Sequence, residues 1–386
     1  MIYLDNSATS FPKPPEVLAA FMDAAGNYCA NPGRSSHFMA ARTAQEIFKT
    51  RLAAAALFNI EDPGRIIFTK NCTEAVNMAL GGILKRGDHV ITSSMEHNSV
   101  MRPLRRLREN GVEVTVIRCD RRGRLPLLDM AAAVRSSTRM IVLTAASNVT
   151  GTKMPLREAG RIAASRGIIF MVDAAQGAGH MELDVKRDHI DIMAAPGHKG
   201  LLGPQGTGFL YVGEGIDMKP LLAGGTGSRS KELSQPGDFP DGYEAGTLNG
   251  PGIIALGAAM RFIMRKGVRE IEREERSLTE ELREGLESIE GVELYGPPSA
   301  AETTAVVAAN IRGVDCEEAS RILNDRFAIG VRGGFHCSGL AHITIGTESR
   351  GAVRFSPGIY TSQEDIEKAV EAVREIASLK SKGLWK

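Results

Sequence analysis

Tryptophan occurs once in 386 residues, and aromatic residues together make up only 5% of the chain, whereas glycine is plentiful at 42. That combination suits an enzyme with many tight loop-to-helix turns and argues against an all-β sandwich. An excess of charge of either sign is also missing. Forty-seven Lys plus Arg against 46 Asp plus Glu leave a formal charge of +1, so nothing suggests a nucleic-acid or membrane-surface protein working through bulk charge. No apolar run reaches the roughly 18–20 residues that span a bilayer. The opening MIYLDNSAT has no basic segment and meets Asp5, which is unlike a secretory leader, and the expectation is a cytoplasmic protein. Cysteines are few. Cys29, Cys72, Cys119, Cys316 and Cys337 are odd in number, widely spaced and free of any CxxC, which excludes a disulfide framework and a structural zinc site, so no metal is expected.

Hydrophobic residues at 43% and charged residues at 24% fit a globular chain long enough for two or three domains. Short β-branched runs recur: RIIFT (65–69), HVITS (89–93), VEVTVI (112–117), RMIVLTA (139–145), GIIFMV (167–172) and TGFLYV (207–212). Between most of them lie amphipathic segments of helical length, among them Glu74–Leu84, Val100–Asn110 and Leu156–Arg166. Alternating strands and helices predict parallel pairing through right-handed crossovers, and hence a doubly wound α/β sheet. The pattern breaks over 213–252 into a long loop-rich stretch. A charged helix near Val268–Ser288 and further β-α-β material follow, which predicts a second, smaller domain from about Gly252.

Sheets of this kind bind ligands beyond the carboxyl ends of their strands. There the sequence places Glu96-His97 after HVITS, Ser147-Asn148 after RMIVLTA, Asp173 and Gln176 after GIIFMV, and His198-Lys199 after the apolar DIMAA. Asn71-Cys72-Thr73 precedes a helix and offers amides and a hydroxyl to an anion. Asp173 ends an apolar strand, where a carboxylate is costly unless paired. A lysine amine for a Schiff base, a carboxylate for a pyridinium nitrogen and a phosphate cradle are what pyridoxal 5'-phosphate requires.

The ordered motifs YLDNSAT, NCTEAVN, MEHNS, SNVTGT, VDAAQ, GHKG, GPQGTGFLYV, YEAGTLN, VRGGFHC and VRFSPGIY run almost the whole chain. In them the sequence resembles a cysteine desulfurase of the class V aminotransferase family, closest to the group II desulfurases and selenocysteine lyases. The resemblance implies a fold type I pyridoxal-phosphate transferase (aspartate-aminotransferase-like), with a large cofactor domain over 16–251 and a small domain over 1–15 and 252–386. It implies that Lys199 carries the cofactor, Asp173 pairs with the ring nitrogen, Gln176 bonds the ring hydroxyl and His97 stacks on the ring. Cys72 and Thr73 would bind the phosphate with His198 nearby. Thr247 would reach the phosphate of a partner subunit, which makes the protein a homodimer. Arg354 would clamp the substrate carboxylate with Asn148 beside it, and Asn148 would also bind the cofactor. Cys337 would be the nucleophile that takes sulfur from L-cysteine as a persulfide, leaves L-alanine, and passes the sulfur to an acceptor protein. His336 and Arg332 are close enough in sequence to favour its thiolate.

Three departures from the family pattern stand out. Pro196 replaces a phosphate-binding serine, Phe335 replaces one histidine of a pair before the cysteine, and the loop after Lys199 is one residue longer. The same scaffold leaves open a selenocysteine lyase acting on L-selenocysteine, or a class V aminotransferase that needs no Cys337. The arginine run at 102–108 reads as a solvated face and that at 121–124 as a charged turn, neither with the interleaved aromatics of a nucleic-acid surface.

Overall fold

The computed structural model describes residues 1–32 and 37–381. Of the two expected domains, 33–36 in the first and 382–386 in the second lie outside the described residues. The chain opens on a short strand, β1 (Ile2–Tyr3), and two helices, α1 (Pro15–Asp23) and α2 (Phe38–Phe58). Strand–helix units follow: β2 (Ile66–Thr69) and α3 (Cys72–Ile83), then β3 (His89–Ser93) and α4 (Asn98–Glu109). Next come β4 (Glu113–Ile117) and α5 (Leu127–Ala132), then β5 (Thr138–Thr144) and α6 (Leu156–Ala164). The strands β6 (Ile169–Asp173), β7 (Ile192–Pro196) and β8 (Gly208–Val212) complete a seven-stranded sheet in the order β2-β8-β7-β6-β5-β3-β4.

Strands β3 to β7 pair in parallel, as the alternating pattern predicts, but β8 is antiparallel to both β7 and β2. The reason lies in the connection: only residues 197–207 separate β7 from β8, too short a link for a helical crossover, so the chain turns back. Because β8 is reversed, β2 runs in the same sense as β3 to β7. The carboxyl ends of β2, β3, β5, β6 and β7 therefore open on one edge.

Both faces of the sheet are buried, which is why its strands read as continuous apolar runs rather than alternating ones. Ile66, Phe68, Ile141 and Leu143 point to one face, which Phe58 of α2 and Ala159 of α6 also help to fill. Ile67, Met140 and Val142 point to the other, against Val76 and Leu80 of α3 and Leu104 of α4. Two long helices then follow, α7 (Gly250–Lys266) and α8 (Val268–Glu287). Although the sequence reading begins its second domain at 252, α7 buries Ile253, Leu256, Met260 and Ile263 in the core of the large sheet.

The remaining elements are β9 (Val292–Tyr295), β10 (Val307–Ile311), α9 (Cys316–Phe327), β11 (Ile329–Gly330), β12 (Arg332–Gly334), α10 (Gly339–Ile345), β13 (Ala352–Phe355) and α11 (Gln363–Ser381). Four of these strands form an antiparallel sheet in the order β12-β13-β10-β9, while β11 pairs in parallel with β1. A separate core joins Leu4, Leu282, Val307, Leu323, Phe355 and Ile366. The loop-rich stretch after β8 is held by a buried ion pair. Arg51 Nη2 lies 2.6 Å from Glu244 Oε2, and Glu244 Oε1 accepts from the amide of Phe68 on β2.

Candidate active site

The shared strand edge gathers the polar residues of the motifs into one cavity, whose lining includes Cys72, His97, Asn148, Asp173, His198 and Lys199. At the end of β2, Asn71 caps α3 by accepting the Glu74 amide at 2.9 Å. Cys72 and Thr73 are the first two residues of that helix, so their amides have no intrahelical partner and face outward with the positive end of the helix dipole. The buried Nδ1 of His198 has no hydrogen-bond partner among the described residues. Burial, with Lys199 and Lys13 nearby, pushes His198 down to about 4, so that nitrogen is uncharged near neutral pH.

Asp173, 1% exposed at the end of β6, is satisfied by three donors. The Ala175 amide lies 3.0 Å and the Cys72 thiol 3.3 Å from Oδ1, and the Ser99 hydroxyl lies 3.3 Å from Oδ2. Burial and the Asp173 charge raise the Cys72 thiol well above its ordinary range, which keeps it a neutral donor. Cys72 thus faces two ways, with its amide at the open end of α3 and its thiol toward the carboxylate. His97 caps α4, its Nδ1 accepting the Ser99 amide at 3.0 Å, which leaves the proton on Nε2. Desolvation lowers its pKa to about 4, so it is a neutral ring. Gln176 donates to Ser7 O at 3.0 Å. Lys199 Nζ makes no hydrogen bond or ion pair among the described residues, and desolvation first, then Arg354, lowers its pKa.

Arg354 comes from the small sheet and is 1% exposed. Its Nη2 pairs with Asp5 Oδ1 at 2.8 Å, its Nη1 donates to Asn148 O at 3.0 Å, and its Nε is buried with no partner. That free N–H is what an added carboxylate needs, since an unpaired buried guanidinium nitrogen is costly. Arg332 sits directly across from Arg354 on the paired strands β12 and β13.

Cys337 is exposed, in a loop held by three hydrogen bonds from two residues. Asn98, at the start of α4, donates its amide to Cys337 O at 2.8 Å. The side chain of Asn148 engages the loop at both ends, with Nδ2 donating to His336 O at 2.7 Å and Oδ1 accepting from Ser338 at 2.7 Å. Both His336 and Cys337 lie in the left-handed region, at φ 51 and 56. His336 packs against His342 in a stacked pair, and burial pushes the two down to about 3 and about 4 respectively. His336, expected to favour the thiolate, is a neutral residue that donates from Nε2 to Arg332 O at 3.1 Å and so brings no charge to it.

The model for "Aminotransferase class-V" matches residues 2–369. The chain belongs to the class V aminotransferase family. A probable cysteine desulfurase from Methanothermobacter thermautotrophicus is 38% identical over 98% of this chain and 95% of its own length. A cysteine desulfurase from Yersinia pseudotuberculosis is 30% identical over 98% and 94%. Among solved structures, the apo cysteine desulfurase of Thermococcus onnurineus superposes with a TM-score of 0.91 at 35% identity, covering 98% of this chain and 94% of that one. The Escherichia coli cysteine desulfurase in its S-sulfonic acid form gives 0.85 at 30% identity, with 98% and 94% covered.

This class V member also contains site residues to which the sequence reading assigned no role. Asp5 lies within the motif YLDNSAT, and Ser99 within MEHNS, but the pairing of either is decided by tertiary contact. The N-terminal segment clasps the peptide before Lys199: Ser10 N, Ser10 Oγ, Thr9 Oγ1 and Lys13 Nζ lie 2.9, 3.1, 3.2 and 3.0 Å from His198 O. Burial pushes Lys13 down to about 8. Pro196 ends β7 with neither hydroxyl nor amide hydrogen to offer, and Phe335 is 46% exposed with its ring edge against His342. Thr247 lies apart from the cavity lining, exposed on the loop that the Arg51–Glu244 pair anchors. Among the described residues no helix is long and apolar enough to cross a membrane, and no three His, Cys, Asp or Glu side chains are grouped as metal ligands.

Proposed function

We propose that this chain is a pyridoxal-phosphate-dependent cysteine desulfurase, which takes the sulfur of L-cysteine onto Cys337 and leaves L-alanine. One observation carries the reading. Asn148 ties together an exposed cysteine, a buried arginine with a free N–H and the cavity of the unpaired Lys199, through its side chain, its carbonyl and its place in the lining. The residues fit the cofactor. The amides of Cys72 and Thr73, with His198 Nδ1, would hold its phosphate, Asp173 would pair with its ring nitrogen, Gln176 with its ring hydroxyl, His97 would pack on its ring and Lys199 would meet its aldehyde carbon. When bound, the cofactor supplies a carbonyl that condenses with amines and a ring that withdraws electrons from the substrate α-carbon.

The chain's own residues account for the rest. Burial lowers the pKa of Lys199 Nζ, which favours the uncharged amine that can bond to carbon and carry the α-proton. Arg354 holds the substrate carboxylate with charge-assisted hydrogen bonds while Asp5 fixes the guanidinium plane. Cys337 Sγ then forms a bond to the substrate sulfur as the Cβ–S bond breaks, the electron pair staying on carbon, which takes up a proton to become the methyl group of alanine. A persulfide remains on Cys337 for a sulfur acceptor. The protein works as a homodimer in which Thr247 reaches the phosphate site of the neighbouring subunit. Supporting this are the exposed apolar side chains of α1 and α2, among them Leu18, Met22, Phe48 and Leu52.

The test is Cys337→Ala. The variant should keep the yellow colour of the loaded protein and its spectral response to cysteine, yet lose nearly all alanine release. Wild-type protein treated with cysteine should carry one extra sulfur on the Cys337 peptide. Selenocysteine assayed alongside reports whether the thiol is dispensable for a better leaving group. Alanine release by the variant at the wild-type rate would sink the persulfide mechanism.

A further inference from the structure

A persulfide on Cys337 has to be handed on, and the surface around that residue is uneven in charge. Helix α4 begins against the cysteine, through the 2.8 Å bond from Asn98 N to Cys337 O. Arg102 stands one turn along the Asn98 face, and Arg105 and Arg106 stand about two turns along. All three are exposed, and neither Arg102 nor Arg106 has an ion pair among the described residues. Arg105 has only a loose contact of 3.7 Å with Glu109. On the other side, residues 335–347 contain no acidic residue, and their two histidines are neutral. There Phe335 and Ile343 are 46% and 52% exposed. The Cys337 loop, with the exposed Phe335 and Ile343 close to it in sequence, thus packs on the start of a helix that carries a row of arginines.

That row is unfavourable for the helix itself. Arg102 and Arg106 are like charges four residues apart, which destabilises a helix by a few tenths of a kcal/mol. Of the pair only Arg106, in the last turn, gains from the helix dipole, while Arg102 in the middle of the helix does not. Nor is it a share of general basicity, since the whole chain carries only +1. The chemistry proposed above uses neither residue.

We propose that the α4 arginine face beside Cys337 is the docking surface for the sulfur acceptor, and that this acceptor is a protein presenting its receiving thiol within an acidic, partly apolar surface. The inference rests on the desulfurase reading. In the transfer, the acceptor thiolate attacks the terminal sulfur of the persulfide. A new S–S bond forms to the acceptor, the bond to Cys337 Sγ breaks, and Cys337 leaves as a thiolate with no outside oxidant or reductant. Arginines beside the encounter draw in an acidic partner and favour its thiol as thiolate.

The experiment loads the full-length holoprotein with sulfur from cysteine and offers it two synthetic peptides, one with its single cysteine flanked by glutamates and the other by lysines. Transfer is read as one added sulfur on the peptide by mass spectrometry. The acidic peptide should be favoured on the order of tenfold at low salt, and the preference should collapse once the Debye length is only a few ångströms. The double variant Arg102→Glu/Arg106→Glu should invert the preference while alanine release with a small neutral thiol stays at the wild-type rate. Equal transfer to both peptides by wild type, or a preference indifferent to salt, overturns the inference without needing any variant to fold. Salt-sensitive binding of polyuridylate with no preference between peptides would overturn it in favour of a nucleic-acid surface. Failure of sulfur to appear on Cys337 at all strikes instead at the desulfurase reading beneath it.

Discussion

Asn148→Ala separates holding the nucleophile from holding the cofactor. The substitution deletes two buried hydrogen bonds of 2.7 Å, one to His336 O and one from Ser338 Oγ. Ser338 retains only a long contact of 3.5 Å to His336 O, so both loop groups lose their good partner. Leaving a buried polar group unsatisfied costs about 1–3 kcal/mol, so the loop conformation loses on the order of 2–4 kcal/mol. His336 and Cys337, both at positive φ, already cost about 1–2 kcal/mol each, so a loosened loop relaxes away from the cavity. Arg354 should feel little of this, because it bonds the backbone oxygen of residue 148, which alanine keeps. The expected result is a kcat for alanine release lowered on the order of thirtyfold or more, with KM for cysteine within about twofold and cofactor content unchanged. Steady-state alanine release at saturating reductant, with single-turnover sulfur loading of Cys337, measures it. A kcat equal to wild type would refute the clamp. Loss of cofactor in step with activity would return Asn148 to the cofactor-binding role that the family resemblance implies.

Arg354→Lys keeps the charge that Asp5 pairs with but cannot offer a fork of donors, so kcat/KM for cysteine should fall by about 2–3 kcal/mol in transition-state terms with cofactor content unchanged. An unaffected specificity constant would mean that the carboxylate binds elsewhere. Glu96 gives a stability prediction. It is fully buried, accepts from Ser93 and Thr144 through Oε1, has an unpartnered Oε2, and is pushed up from 4.5 to about 8 chiefly by desolvation. The folded state thus holds a proton that the unfolded chain releases, so wild type loses stability as pH rises from about 4.5 to about 8. Glu96→Gln mimics the protonated form and removes that slope. Between pH 6 and pH 9 the wild-type loss should exceed that of the variant by about 3 kcal/mol at ~1.4 kcal/mol per pH unit, read from denaturant midpoints of cofactor-free protein. Parallel pH profiles would show that Glu96 ionises normally.

Much of the fold was legible because both faces of the main sheet are buried. Runs such as RMIVLTA carry no polar interruption, and the amphipathic segments between them have only one way to cover a parallel sheet. The reversal of β8 was not legible, because TGFLYV reads alike in either direction. Only the shortness of the preceding loop betrays it. The placing of α7 failed for a related reason. Its run of Gly, Ala, Ile and Leu announces burial but not which core receives it, and contact with α1 and α2 decides that.

The site divides along the same physical line. Asp173, Lys199, His97 and Asn148 could be picked out because parallel strands deliver their carboxyl ends to one edge, so position in sequence already implies position in space. Asp5 and Lys13 could not, since they reach the edge from the N-terminal segment, over separations that no local pattern encodes. Cys337 belongs to both groups. Its Gly-rich, polar setting marks it as a loop cysteine, but its link to the large sheet passes through two residues of that sheet's edge. Asn98 and Asn148 hold the loop, while the Asn148 carbonyl holds Arg354. The small four-stranded sheet and the loop after it thus bring to the shared edge two groups that the strand ends of the large sheet do not supply. In the proposed reaction these are the exposed thiol of Cys337, on a loop held by Asn98 and Asn148, and the buried guanidinium of Arg354.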